Sequence, residues 1–249
     1  MKCTLNKKVL ARLMEFLRWN EIANAYTVSS LLNPQEYDVI VEVDEKSIGV
    51  LSIYKLTEAL TVRGNLYGLT RLLPRVAKLK GYWCYAILPQ DIFIVRKFVD
   101  IDSIEEEYLM VIDREHFKFK PSGRVKVLNE GHLYQIPLQS EVPYGRKEIT
   151  YLIGRGRVYG SFTEEDELAS LAFIQDTSEN VALIGGVYTK SEFRRLGYAK
   201  SCLISLINDL LNKYRVVGLT VRTDNIPAIN LYKSLGFITY MKLLSFEVV

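Results

Sequence analysis

The stretch Val181–Ala199 reads VALIGGVYTKSEFRRLGYA, and the second half of the chain is organised around it. Its beginning, Val181–Tyr188, is an apolar run of the length that is typical of a buried strand. Its end, Arg194–Ala199, contains Gly197 and leads into a segment with apolar residues at the i, i+3, i+4, i+7 spacing of a helix. The sequence therefore predicts a buried strand, a glycine-containing turn and a long helix in succession.

A turn of this kind can bind an anion. The first backbone N–H groups of a helix have no partner inside the helix, and the helix dipole adds partial positive charge there. Gly197 lets the main chain approach a ligand closely, and Arg194 and Arg195 add full charges. We hypothesise that the turn binds the pyrophosphate of a nucleotide-like cofactor. The alternative is an ordinary turn with surface arginines, because short glycine motifs often occur by chance.

Composition bounds the class of protein. The chain has 249 residues, of which 49% are hydrophobic and 24% charged, so it can bury the core of one large domain or two small ones. Its three cysteines, Cys3, Cys84 and Cys202, lack C-x-x-C spacing, which argues against a disulfide framework or a zinc site. No apolar run reaches the length of a membrane span, and the N-terminus predicts an amphipathic helix instead of a signal peptide. We therefore expect a cytoplasmic protein without a metal or a membrane partner.

Two basic segments, Arg71–Lys80 and Phe117–Lys126, raise the question of nucleic-acid binding. The net charge of +3 neither requires nor excludes an anionic partner. A basic face on a predicted helix is usually a solvated face, and alternating Lys and Phe fit a strand edge or a linker. A nucleic-acid partner is therefore not expected.

Hydrophobic periodicity and turn residues predict the secondary structure of both halves. The first half has predicted helices at Asn6–Trp19, Asn20–Leu32, Leu69–Lys80 and Gln90–Val99, and strands at Tyr37–Asp44, Lys46–Tyr54, Leu60–Asn65, Tyr82–Leu88 and Glu105–Ile112. The second half has predicted strands at Val125–Leu128, Ile149–Ile153, Arg157–Phe162, Leu168–Gln175, Val181–Tyr188, Val216–Val221 and Leu243–Val249, a helix at Ala199–Tyr214, and a shorter helix after Asn225 that ends at Gly236. The charged segment Arg114–Arg124 contains Pro and Gly and separates the halves, so we predict two α/β domains, 1–120 and 121–249.

Two common phosphate-binding motifs are excluded. Gly154–Tyr159 lacks the third glycine of G-x-G-x-x-G and lies between predicted strands. Lys190-Ser191 follows Thr189 where a P-loop needs glycine. The cofactor of the predicted turn is therefore neither a dinucleotide on a Rossmann unit nor a P-loop nucleotide.

A second segment narrows the interpretation. Asp224–Phe237 reads DNIPAINLYKSLGF and follows the turn by about 25 residues. Together the two segments resemble the GNAT superfamily of N-acyltransferases over roughly residues 125–249. The turn fits the superfamily's acyl-CoA loop, Q/R-x-x-G-x-G/A, and the second segment fits N-x-x-A-x-x-L-Y-x-x-x-G-F. The matching positions are Arg194, Gly197 and Ala199 in the first motif and Asn225, Ala228, Leu231, Tyr232, Gly236 and Phe237 in the second.

The resemblance implies a fold and a set of site residues. The fold would be α/β (α+β), with a mixed, mostly antiparallel central sheet flanked by helices, the acyl-CoA N-acyltransferase fold. Tyr232 would be the catalytic acid toward the leaving thiolate. The residues expected to bind the acyl-CoA are Val187, Tyr188, Thr189, Arg194, Arg195, Leu196, Gly197, Tyr198, Ala199 and Asn225. Asn225 has a second interpretation as a helix cap.

The general base is not evident from the sequence. Glu164, Glu165 and Asp166 lie in a predicted hairpin turn, and Glu192 lies close to the loop. Acidic residues in turns are usually solvated, so a base that acts through water, or an amine that arrives neutral, is an equal alternative. Cys202 falls on the apolar face of its helix, which favours packing over a nucleophilic role.

The resemblance implies acetyl transfer from acetyl-CoA to a primary amine. A non-catalytic acyl-CoA-binding or regulatory protein with the same fold is the alternative, and the acceptor and a homodimer stay open. The first half has no R-x-x-G-x-G/A match, although its order of elements is similar to a degenerate second copy of the fold. Such a two-part arrangement is similar to the glycine-acyltransferase-like group.

Overall fold

The computed structural model describes residues 6–121, 123–137 and 144–249. The chain divides into two compact units: unit 1 extends to Tyr108 and includes Met241–Val249, and unit 2 is Leu109–Tyr240. The predicted domains 1–120 and 121–249 stay a prediction. Cys3, Ser122 of the predicted linker and residues 138–143 lie outside the described residues.

Unit 1 alternates helices with a mixed sheet. Its elements are α1 Lys7–Arg18, α2 Ala25–Leu32, β1 Tyr37–Val43, β2 Ile48–Tyr54, β3 Ala59–Gly64, α3 Leu66–Val76, β4 Trp83–Ile87, α4 Ile92–Val95 and the beginning of β5 Ile101–Asp113. β1, β2 and β3 pair antiparallel, whereas β3 and β4 pair parallel. The parallel pair is brief and joins Ala59 to Trp83 and Leu60 to Cys84.

The last strand of the sequence completes the sheet of unit 1. This strand, β11, spans Ile238–Val248, and its second part pairs antiparallel with β4. Leu244 faces Ile87 in the register, and Phe246 faces Cys84. Phe246 is fully buried in one apolar cluster with Leu72 and Leu73 of α3. The core of unit 1 therefore depends on residues from both ends of the sequence.

Unit 2 follows the same alternation. Its elements are the end of β5, β6 Val125–Val127, α5 Arg146–Gly154, β7 Val158–Phe162, β8 Leu168–Thr177, β9 Val181–Thr189, α6 Tyr198–Leu211, β10 Val216–Arg222, α7 Ile226–Ser234 and the beginning of β11. The strands β6, β7, β8 and β9 pair antiparallel in that order, and β9 pairs parallel with β10. The predicted mixed, mostly antiparallel sheet flanked by helices is confirmed.

The predicted strand at Ile149–Ile153 is wrong, because these residues lie in α5. Ile149, Leu152 and Ile153 are buried, and their i, i+3, i+4 spacing places them on one helical face. The apolar run is too short for a helical period to be evident in the sequence, and Gly154 and Gly156 follow it. The predicted helix Asn20–Leu32 is also too long, since α2 begins at Ala25.

Candidate active site

Strands β9 and β10 pair only along their first halves. The parallel register extends from Val181 opposite Val216 to Ile184 opposite Leu219. Both strands continue, β9 to Thr189 and β10 to Arg222, and no further pair joins them within the described residues. The strands therefore diverge after Ile184, and the edge of β9 lines an opening.

β9 carries one extra residue where the divergence begins. Leu171 pairs with Tyr188 and Phe173 with Gly185, so two steps along β8 correspond to three along β9. Gly186 lies in this bulge with φ +57°. A Cβ built on Gly186 would lie 1.8 Å from Cε1 of Phe173, so a side chain has no room there.

The main chain at the end of β9 faces the opening. The N–H of Lys190 donates to the carbonyl of Ala169 on β8, and Tyr188 is paired with Leu171 on the same side. Because main-chain groups alternate sides along a regular strand, those of Thr189 point away from β8. They are therefore oriented to pair with an extended ligand.

Side chains of β8 fix the end of β9 in place. Ser170 Oγ donates to the carbonyl of Tyr188 at 2.7 Å, and Thr189 Oγ1 donates to Ser170 Oγ at 3.0 Å. Lys190 pairs with Glu167 at 2.7 Å. These bonds hold the strand end rigidly up to the turn.

The turn has the backbone of an anion-binding loop. A short 3₁₀ turn at Ser191–Phe193 is followed by Arg195 with φ +63° and Gly197 with φ +89°. Arg194 Nε donates to the carbonyl of Thr189 at 3.2 Å, which ties the loop to the strand. Gly197 is the N-cap of α6, in the left-handed region that glycine adopts without strain.

The N–H groups of the turn are open. Among the described residues, no backbone hydrogen bond has an N–H of residues 195–200 as its donor. Leu196 is 65% exposed, and a Cβ at Gly197 would meet no atom within 4 Å. The loop therefore offers several free backbone donors at a helix N-terminus, beside two exposed arginines, which fits a pyrophosphate.

Residues on both sides anchor the first turn of α6. Ser161 Oγ on β7 donates to the carbonyl of Tyr198 at 3.0 Å, and the ring of Phe193 meets that of Tyr198 edge-on at 5.7 Å. Cys202 is fully buried on the same helix, and burial raises the pKa of its thiol to about 12. Cys202 is thus a packing residue, as predicted.

α7 presents Tyr232. Its N-cap, Asn225, accepts from the N–H of Ala228 at 3.2 Å, so the capping role of Asn225 is confirmed and a ligand contact stays a prediction. The Tyr232 ring is buried against Phe237, with centroids 6.0 Å apart, and burial raises the pKa of the phenol to about 12. Its hydroxyl makes no hydrogen bond within the described part of the chain, so it is free to donate.

The predicted acidic turn is solvated. Asp166 is exposed, forms an ion pair with Lys126 at 2.6 Å, and its pKa is lowered by that bond. Glu192 is exposed and accepts from Ser191 Oγ. Neither carboxylate has the desolvated environment that raises a base toward neutral pH.

Two further residues of unit 2, Glu148 and Tyr144, have buried polar groups that were not predicted from the sequence. Glu148 lies in the first turn of α5, and burial raises the pKa of its carboxyl. Tyr144 is buried edge-on against Phe173, with ring centroids 6.0 Å apart, and its hydroxyl has no hydrogen-bond partner within residues 6–121, 123–137 and 144–249. Burial, and secondly the nearby Tyr188, raise the pKa of its phenol. A correct prediction of the helix α5 would have identified Glu148 from the sequence, whereas no sequence signal identifies Tyr144.

Residues 132–237 match the model of the Acetyltransferase (GNAT) family. The matched range contains the divergent strands, the open turn and Tyr232. These residues therefore form a GNAT acetyltransferase domain. No curated protein sequence gives a significant match to the chain.

Solved structures extend the likeness to nearly the whole chain. A Drosophila protein solved by a structural genomics consortium matches with a TM-score of 0.76 at 12% identity, covering 98% of this chain and 97% of that one. A Novosphingobium aromaticivorans protein described as a GNAT-family acetyltransferase gives 0.62 at 21%, covering 88% and 93%. A tandem GNAT protein of the clavulanic acid biosynthesis pathway gives 0.62 at 14%, covering 96% and 93%. The predicted acyltransferase fold is confirmed.

Among the described residues, no helix is both long and apolar enough to cross a membrane. Nor do residues 6–121, 123–137 and 144–249 contain a cluster of His, Cys, Asp or Glu side chains that could hold a metal ion.

Proposed function

We propose that the chain is an acyl-CoA-dependent N-acyltransferase that moves an acetyl group from acetyl-CoA to a primary amine. The observation that carries the proposal is the continuity of three features: the divergence after Ile184, the bulge at Gly186 and the open turn before Tyr198. A divergent strand edge suits an extended ligand, and a turn of free N–H groups suits a phosphate. Acetyl-CoA carries both parts in one molecule.

Binding of the co-substrate is divided among main-chain and side-chain groups. The N–H groups of residues 195–199, with Arg194 and Arg195, bind the pyrophosphate. The main chain of Val187 and Thr189 pairs with the pantetheine, beside Tyr188. Leu196, Tyr198 and Ala199 line the same turn, and Asn225 borders the opening from the start of α7.

The reaction needs an oxyanion donor and a proton for the leaving group. The amine nitrogen attacks the thioester carbon, the N–C bond forms, and the C–S bond breaks. The N–H of Val187 in the bulge stabilises the oxyanion. Tyr232 donates its proton to the departing thiolate, because a phenol with a pKa of about 12 is fully protonated at neutral pH.

Glu148 is our choice for the base that removes the amine proton. Its raised pKa brings a carboxyl closer to the range in which a base works at neutral pH. The α5 helix that carries it packs in one apolar cluster with Phe173 and Tyr188, the neighbours of the bulge. The unpartnered hydroxyl of Tyr144 in this cluster suits a contact with the acceptor.

Unit 1 is proposed to be a degenerate second copy of the fold, in the two-part arrangement of the tandem protein. It repeats the order of three antiparallel strands, a helix, a parallel strand and a short helix. Its strand-to-helix turn is different, because Asn65 directly caps α3 by accepting from the N–H of Gly68 at 2.9 Å. We therefore expect one acyl-CoA per chain. A cytoplasmic location and an acceptor that is a small molecule or a protein complete the proposal.

A direct experiment is calorimetric titration with acetyl-CoA, followed by steady-state release of free thiol with a panel of primary amines. Saturable binding at one site together with amine-dependent thiol release supports the transferase. Binding without turnover for every amine supports the alternative, a non-catalytic acyl-CoA-binding protein. Absence of binding contradicts both.

A further inference from the structure

Unit 1 contains a buried arginine with an unused donor. Arg63, near the end of β3, is 2% exposed. Its Nε donates to Asn24 Oδ1 at 3.0 Å, and its Nη2 donates to the carbonyls of Ala23, at 3.1 Å, and of Ala86. Its Nη1 has no hydrogen-bond partner among the described residues.

The arginine lies where two strands stop pairing. Within the described residues β3 and β4 pair at Ala59–Trp83 and Leu60–Cys84 and nowhere else, yet β3 continues to Gly64 and β4 to Ile87. Ala86 on β4 has φ +61°, a strained backbone for a residue with a Cβ, and its carbonyl accepts from Arg63. The backbone of β4 is therefore held in an unfavourable conformation at the guanidinium.

The positive charge of Arg63 has no counter-charge in direct contact among the described residues. All three described partners of Arg63 are neutral oxygens, and no ion pair joins it to a described carboxylate. Asp91 interacts with it only at a distance, and desolvation raises the pKa of that carboxyl. Burial lowers the pKa of Arg63 itself to about 10. A buried cation is costly unless an opposite charge contacts it and its donors are satisfied, and an anion at Nη1 supplies both.

A second unused donor lies on the same face of β3. Thr61, two residues before Arg63, is 1% exposed, and its Oγ1 also has no hydrogen-bond partner in the described part of the chain. Residues two apart in a strand point to the same side of the sheet. The surroundings are polar, since Ser30 Oγ of α2 and Ser52 Oγ of β2 form a buried hydrogen bond of 2.6 Å. Two orphan donors in one buried polar layer are unusual, because buried donors are nearly always satisfied.

We propose that unit 1 binds a small carboxylate, one oxygen of which accepts from Arg63 Nη1 and the other from Thr61 Oγ1. A carboxylate supplies the missing charge, and its two oxygens match two separate donors. This site is independent of the acyl-CoA site in unit 2. It gives unit 1 a ligand of its own, although the unit lacks the open turn of unit 2.

The test uses the full chain and acetate as the probe. The melting temperature is recorded against sodium acetate and, separately, sodium chloride at equal ionic strength, for the wild type, Arg63→Met and the control Arg96→Met. Arg96 is exposed at the end of α4, so Arg96→Met removes the same charge from unit 1 as Arg63→Met does. Acetate should raise the melting temperature of the wild type and of Arg96→Met, and chloride should do so less. Arg63→Met should not respond to acetate.

Thr61→Val keeps the test decisive if Arg63→Met does not fold. This variant preserves the shape and removes one donor, so the acetate concentration for half the shift should rise about tenfold, in line with the loss of one hydrogen bond to a charged group. A wild-type melting temperature that does not depend on acetate, equal responses to acetate and chloride, or an unchanged midpoint in Thr61→Val would each overturn the proposal.

Discussion

Phe173 lies against the α-carbon of Gly186, so closely that a Cβ at position 186 would be 1.8 Å from its ring. This contact with β8 fixes the bulge of β9. The bulge separates the buried beginning of β9 from the end of the strand, which faces the opening. The position tolerates no side chain for two reasons, the positive φ and the ring.

We predict that Gly186→Ala lowers both stability and acetyl-CoA affinity. Strain at a positive φ and overpacking against Phe173 together should lower the free energy of unfolding by about 3 kcal/mol. Urea unfolding and calorimetric titration measure the two effects. Gly154→Ala is the control, since a Cβ there meets no atom within 4 Å.

The cause can be isolated with a double-mutant cycle. In a Phe173→Leu background, Gly186→Ala should cost less than in the wild type, because the ring that clashes is gone. Equal costs in both backgrounds would show that the ring is not responsible.

We predict that Tyr232→Phe lowers kcat by about 10²-fold, because the leaving thiolate loses its proton donor, while the dissociation constant of acetyl-CoA stays unchanged. Since the pKa of Tyr232 is raised to about 12, the wild type should lose no activity through this group below about pH 11. Tyr67→Phe, which alters an exposed tyrosine of α3, is the control. Equal turnover of wild type and Tyr232→Phe across the pH series would contradict the acid role.

We predict that Arg195→Ala weakens acetyl-CoA binding about fivefold and reduces its dependence on salt. Arg195 is exposed beside the open N–H groups, so its charge acts on the pyrophosphate through a partly screened interaction worth about 1 kcal/mol. Arg215→Ala is the matched control, because Arg215 is exposed beyond the opposite end of α6. Similar losses of affinity in the two variants would indicate general charge attraction without a defined phosphate site.

We predict that Glu148→Gln removes a pH dependence from both stability and turnover. Burial raises the pKa of Glu148, so the folded protein binds the proton more tightly than the unfolded chain. Its contribution to stability is therefore most favourable at low pH, and it declines as the pH rises from the ordinary value of 4.5 through the raised folded value.

Above that window, Glu148→Gln should melt at a higher temperature than the wild type, and near pH 4 the two should agree. If Glu148 is the base, wild-type kcat should rise with pH through the folded pKa, and the variant should be slow at every pH. A variant as fast as the wild type would leave Glu148 with a structural effect alone. Glu165→Gln in the exposed turn serves as the control.

The strand, turn and helix of Val181–Leu211 were predictable because each has a strong local signal. The apolar run, the glycine at the helix start and the helical spacing agree with one another, and Gly236 after α7 has the expected positive φ of +100°. The order of the two motifs then predicts the fold. The candidate site residues are implied by the resemblance to the GNAT superfamily, and the geometry of the turn provides a physical reason for their arrangement.

Other features depend on contacts that no local pattern encodes. The sequence predicts a strand in place of α5, because three buried residues are too few to define a helical period and glycines follow them. Glu148 becomes a candidate only through its burial, and Arg63 resembles any surface arginine until β4 and the segment before α2 surround it. Desolvation and unpaired donors are properties of the folded chain, so a sequence reading cannot find them.

The strand β11 also determines when unit 1 can be finished. β4 is complete once residue 87 has been made, but its partner, with the buried Phe246, is translated some 160 residues later. During synthesis the first half therefore has an unpaired strand edge and an incomplete core until β11 has been made. Forming a contact between residues so far apart in sequence is slow. A ribosome that stops early would release a chain whose defect lies in the half made first, where chaperones and proteases can detect it.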